Sequence, residues 1–175
     1  VYPVISRRAG GVSVGINLNV NNACNWACVY CQVDGLTRGG PPPIDLDLLE
    51  RELAGFLDDA LHGDFMAREV PAEARRLMDV AFSGNGEPTS ASEFPDAVRR
   101  VRGVLENFGL AGMLPVRLIT NGSLLQRPAV KEILQLRGPP LRVDRRLRIL
   151  PWLVIIALPL ALEAFRVAGI HPEFW

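Results

Sequence analysis

Apolar residues recur along this chain with two different periods, and the alternation between them outlines its elements. Val12, Val14, Ile16, Leu18 and Val20 alternate with Ser, Gly and Asn, a period of two that predicts a strand over 12–20. Leu46, Leu49, Leu53, Phe56 and Ala60 repeat at spacings of three and four, the mark of one face of an amphipathic helix. Asp45 stands just before that series, after the turn-forming run Gly39 to Pro43, where a helix N-cap is needed. Met78 to Phe82 predicts a second, buried strand that ends in Ser-Gly-Asn-Gly-Glu-Pro-Thr over 83–89. A second helix is predicted over 94–108, with Val98, Val101 and Leu105 on one face. Val116 to Thr120 predicts a third strand, stopped by Asn121-Gly122, and Pro128 opens a third helix that runs to Leu136.

Strand and helix thus alternate three times. That order implies parallel strands joined by right-handed crossovers, in an α/β barrel or an open doubly wound sheet. In both architectures the loops that carry function lie at the carboxyl ends of the strands. The unusual loops 24–31, 83–89 and 120–123 all fall on that edge. The rhythm stops at Arg137. Gly138-Pro139-Pro140 opens a basic stretch with Arg142, Arg145, Arg146 and Arg148, followed by an apolar run from Ile149 to Leu162 that is broken by Pro151 and Pro159. A bilayer span needs about 20 apolar residues, so no stable membrane insertion is expected. The chain therefore reads as an α/β core over 1–137 and an atypical tail over 138–175. The tail is a buried or adventitious hydrophobic segment, a segment in contact with a membrane surface, or a stretch not native to the fold.

Composition narrows the function. The 175 residues suit about one domain, and 49% hydrophobic with 22% charged residues excludes a disordered chain, a collagen or a coiled coil. Nineteen basic residues balance nineteen acidic ones, so any nucleic-acid contact would rest on a local patch such as Arg7 and Arg8. The N-terminus shows no charged segment followed by an apolar run and a cleavage site, and a reducing cytoplasm is the expected setting. Cys24, Cys28 and Cys31, the three cysteines of the chain, lie within eight residues. An odd and tightly spaced set makes no disulfide framework, and in a reducing compartment such thiols become candidate metal ligands. Three thiolates suit an iron–sulfur cluster or zinc. A closed zinc site needs a fourth ligand, and His62 and His171 are not at finger spacing. Three ligands on a four-iron cluster leave one iron open to a bound molecule. In loop 83–89, glycine allows close backbone approach to a ligand and the Glu87 carboxylate can accept from an ammonium group, although taken alone the segment is a turn.

Cys24-x3-Cys28-x2-Cys31 directly after a first strand, with Tyr30 before the last cysteine, resembles the signature of the radical S-adenosylmethionine superfamily. The resemblance implies a partial (βα) barrel, here ending after about three βα units. It further implies a 4Fe–4S cluster on Cys24, Cys28 and Cys31, with S-adenosylmethionine on the open iron and Tyr30 beside it. Reductive cleavage would then give a 5′-deoxyadenosyl radical that abstracts hydrogen from an unknown substrate, with an electron donor such as flavodoxin or ferredoxin. Asn85-Gly86-Glu87, next to Gly84, is similar to the family's Gly-Gly-Glu motif for the methionine amino group, with Asn replacing the first glycine. Thr120 and Asn121 match a segment that lines the cofactor pocket. Pro3 to Arg8, followed by Gly10-Gly11, is similar to the wybutosine-type tRNA-modifying branch, which implies an RNA or small-molecule substrate and a phosphate contact at Arg7 and Arg8. The family's ribose and adenine motifs have no counterpart after Arg137, so the resemblance covers about residues 10–137. That gap supports the alternative of a non-catalytic iron–sulfur or zinc-binding module, or an inactive truncated homologue.

Overall fold

A computed structural model describes residues 1–6 and 9–135, together with the backbone of 142–143. In chain order the elements are β1 (Tyr2–Ser6), β2 (Gly11–Ile16), the two-residue strands β3 (Ala23–Cys24) and β4 (Thr37–Arg38), α1 (Leu46–His62), α2 (Phe65–Glu69), β5 (Leu77–Phe82), α3 (Phe94–Asn107), β6 (Val116–Leu118), α4 (Pro128–Gln135) and β7 (Arg142–Val143). One sheet runs in the order β1-β2-β5-β6-β7, and β3 with β4 forms a separate small ladder. β1 is antiparallel to β2, whereas β2, β5, β6 and β7 are mutually parallel.

The parallel strands follow one another in chain order, so each crossover adds a strand to the same edge. Right-handed crossovers then bring α1, α3 and α4 to one face, where α1 meets α3 and α3 meets α4. The periodicities explain the core between the layers. Val14, Ile16, Val80, Phe82, Val116 and Leu118 point from the sheet toward Leu49, Leu53 and Leu57 of α1, Val98, Val101 and Leu105 of α3, and Val130 and Ile133 of α4. The rings of Phe82 and Phe94 meet edge to face with centroids 5.4 Å apart. Asp45 caps α1 as its position predicts, its carboxylate accepting the Leu48 amide at 2.9 Å. Across the opposite sheet face, Asp79 is 1% exposed, accepts from Ser13 Oγ and lies 2.6 Å from Arg117 Nε.

Several elements depart from the pattern. The predicted strand over 12–20 ends at Ile16, because Asn17 and Asn19 turn their side chains back onto the chain: Asn17 Oδ1 accepts the Asn19 amide at 2.9 Å and Asn19 Nδ2 donates to Ala23 O at 2.9 Å. Tyr2–Ser6 forms an edge strand, and Phe65–Glu69 forms a short helix, neither of which the periodicity marks. Parallel pairing continues past residue 137, with Arg117 opposite Arg142 and Leu118 opposite Val143. The result is a mixed α/β sheet, and a partial barrel of the radical S-adenosylmethionine type is not shown by it. Val1–Val143 forms one compact unit. The readings of Arg7 and Arg8 and of the apolar tail lie outside the described residues. Among the described residues, no helix is long and apolar enough to cross a membrane.

Candidate functional site

Because β2, β5 and β6 run parallel, the segments that leave their carboxyl ends share one edge of the sheet. Side-chain amides and one carboxylate bind these segments to one another. Asn85 Nδ2 donates to Asn22 Oδ1 at 2.7 Å, joining the loop after β5 to the foot of the cysteine loop. Asn121 Nδ2 donates to Asn25 Oδ1 at 3.0 Å and Asn25 Nδ2 donates to Ser123 Oγ at 2.8 Å, joining the loop after β6 to the same foot.

Glu87 connects the other two loops. It is 2% exposed. Its Oε1 accepts the Thr89 amide at 3.1 Å, the Thr89 hydroxyl, and the Thr120 hydroxyl at 2.7 Å, while Oε2 accepts the Asn121 amide at 2.7 Å. A buried carboxylate needs such donors, and here neutral hydroxyls and amides of its own and the neighbouring loop supply them. Both oxygens thus face the protein, so the carboxylate acts as a bracket between the loops after β5 and β6. Two glycines make the close approach. An ideal Cβ on Gly86 would sit 2.4 Å from Ala23 O, and Gly84 holds φ at 142° with the Asn17 side chain against it. Gly84, Asn85, Gly86, Glu87, Thr120 and Asn121 therefore come together around residues 17–25. Sequence reasoning missed Asn17, Asn19, Asn22, Asn25 and Ser123, although the density of Asn after β2 was a readable sign of a side-chain-braced loop.

The cysteines sit on the outermost of these loops. Cys24 ends β3, paired with Arg38 of β4, and the Gly39 amide donates to Cys24 O at 3.0 Å. This ladder closes the loop at its base. Farther out, a single turn brings the Cys31 amide to Cys28 O at 3.0 Å. All three thiols are free; Cys24 and Cys28 are half-buried and Cys31 is exposed. Partial burial pushes the Tyr30 hydroxyl up from its ordinary value, reinforced by Cys28, to which it hydrogen-bonds, and by Cys31. Trp26, Val29 and Tyr30 stand exposed on the same loop.

The expected meeting of the three sulfurs at one point is not found. Among the described residues, no three His, Cys, Asp or Glu side chains are arranged to hold a metal ion. The β3–β4 ladder fixes only Cys24, while Cys28 and Cys31 belong to a separate turn. Thiolates repel one another, and a cation between them is what draws such donors into a shared site. As a donor set the loop still suits a thiophilic metal, because it offers three free thiols that are not buried in the apolar core.

Comparison with known proteins corrects the larger assignment. No protein-family model matches the chain, and no solved structure matches it. GTPase Obg of Brachyspira hyodysenteriae is 25% identical over 131 residues, which cover 74% of this chain and 16% of that protein. The chain thus spans about one sixth of the length of the curated relative it matches. The named relative is a GTPase, which overturns the radical S-adenosylmethionine assignment and its wybutosine-type branch. Reductive cofactor cleavage, hydrogen abstraction and classification as an iron–sulfur oxidoreductase fall with it. The physical reason is the shortness of the signature. Three cysteines across eight residues define a donor spacing, which unrelated loops can share, and the rest of the family's pattern is missing after Arg137.

Proposed function

We propose that this chain is a binding domain that holds a thiophilic metal centre on Cys24, Cys28 and Cys31 at the carboxyl edge of its parallel sheet. The observation that supports this reading is the placement of three free thiols on one loop whose foot is fastened to the loops after β5 and β6. Zinc and an iron–sulfur cluster share the required thiolate chemistry, and each would leave a position for a ligand from outside the loop. When bound, the metal supplies a Lewis-acidic or redox-active centre. The protein's part is to present the thiolates, and the Glu87 bracket and the asparagine contacts keep the foot of the loop in place.

Metal loading tests the proposal. The reduced chain is incubated anaerobically with zinc alone, or with iron and sulfide, and metal and acid-labile sulfide are counted per chain after desalting. Stoichiometric metal that is lost in each single Cys→Ser variant is the expected result, with sulfide distinguishing the cluster from zinc. Equal metal content in the natural chain and the triple Cys→Ser variant would overturn it.

The similarity to a GTPase favours a second reading, binding of a guanine nucleotide with magnesium. Against it, the chain has no Gly-x4-Gly-Lys-Ser/Thr segment, and its single lysine, Lys131, lies within α4. Calorimetry with GTP and magnesium separates the two: saturable binding that persists in the triple Cys→Ser variant would favour the nucleotide.

A further inference from the structure

We infer that Cys28 and Cys31 form a dithiol site that closes to an intraloop disulfide by exchange with a small-molecule disulfide. The hydrogen bond from the Cys31 amide to Cys28 O closes a four-residue turn over Cys28-Val29-Tyr30-Cys31. Such a turn holds its end Cα atoms within about 7 Å, and a disulfide spans Cα separations of roughly 4.4–6.8 Å. The bridge therefore forms without unfolding the loop. Cys24 is placed differently. Its backbone is held in the β3–β4 ladder, and Asn25, Trp26 and Ala27 separate it from the turn. Of the three thiols, Cys31 is exposed and Cys28 is half-buried, which makes Cys31 the entry point for a reagent from solvent.

With oxidised glutathione as the exchanging disulfide, the Cys31 thiolate attacks one sulfur. The first glutathione leaves as a thiolate and takes up the proton that Cys31 lost. The Cys28 thiolate then attacks Cys31 Sγ and breaks the mixed disulfide, and the second glutathione departs with the proton from Cys28. Two cysteine thiols are oxidised to one disulfide, and one glutathione disulfide is reduced to two thiols. Disulfide formation stands on the turn alone. Its consequence rests on the proposed metal site: the bridge withdraws two of three thiolates, so oxidation and metal loading exclude each other.

The test treats the metal-free, full-length chain with oxidised glutathione, blocks remaining thiols with iodoacetamide and maps the cysteines by mass spectrometry. The expected product has Cys28 joined to Cys31 and Cys24 alkylated. Cys24→Ser should form the same bridge, and Cys28→Ser should stop at a glutathione adduct on Cys31. A bridge that includes Cys24, or a lasting glutathione adduct on Cys31 of the Cys24→Ser chain, would overturn the inference. Loading the reduced and the bridged chain with zinc keeps the two claims apart. Metal binding without bridge formation sinks only the dithiol site, and a bridge in a chain that never takes metal sinks only the metal centre.

Discussion

Glu87 shows how one side chain can organise a sheet edge. Three of its four acceptor contacts fall on Oε1 and one on Oε2, and all the donors belong to loops after β5 and β6. Glu87→Gln keeps the shape but turns one oxygen into a donor. With the amide oxygen at the three-contact position, the NH2 group faces the Asn121 amide and leaves that N–H unpaired. A loss of about 1–3 kcal/mol is expected, read as a lower urea midpoint with an unchanged slope. An unaltered midpoint would show that the bracket does not hold the loops. Gly86→Ala makes a parallel case. Its methyl group would lie 2.4 Å from a backbone oxygen that cannot rotate away, so the loop foot must shift. A cost of about 1–3 kcal/mol and chemical-shift changes at Ala23 and Asn19 are expected, and a spectrum changed only at residue 86 would contradict the packing.

At the scale of elements, periodicity carried most of the fold. α1 appears at Leu46–His62 behind its Asp45 cap, α3 at Phe94–Asn107 and α4 at Pro128–Gln135, each with the apolar stripe on the sheet. Helices and buried strands are legible because burial itself creates the pattern. β1 was not, since Tyr2–Ser6 is an edge strand whose residues are mostly exposed and which contains Pro3. β7 was not, because Arg142 and Val143 are two residues within a basic, proline-led stretch and two residues have no period. The polar row on the far face escaped for a related reason. Ser13, Asp79 and Arg117 lie on three different strands, and only the register unites them. Arg117→Met should strand the 1%-exposed Asp79 carboxylate. The expected cost is about 1–3 kcal/mol, below the range for a fully buried pair because the Arg117 side chain keeps 29% of its exposure. Urea unfolding that leaves the midpoint in place would show that Ser13 alone suffices.

For the whole molecule, the convergence of three loops on one edge was legible from strand order, and the chemistry they carry was legible only in part. Spacing singled out Cys24, Cys28 and Cys31 as candidate donors, but it could not show that β3 holds one of them and a separate turn the other two. The resemblance built on that spacing reached further than eight residues can support, and the GTPase similarity corrected it. What remains is a sheet edge braced by Glu87 and asparagines, bearing three thiols proposed to close on a metal. X-ray absorption on the zinc-loaded chain tests that claim most directly, because it counts the atoms around the metal. Three sulfur neighbours at about 2.3 Å are predicted. A metal surrounded only by nitrogen and oxygen at about 2.0–2.2 Å would contradict the account.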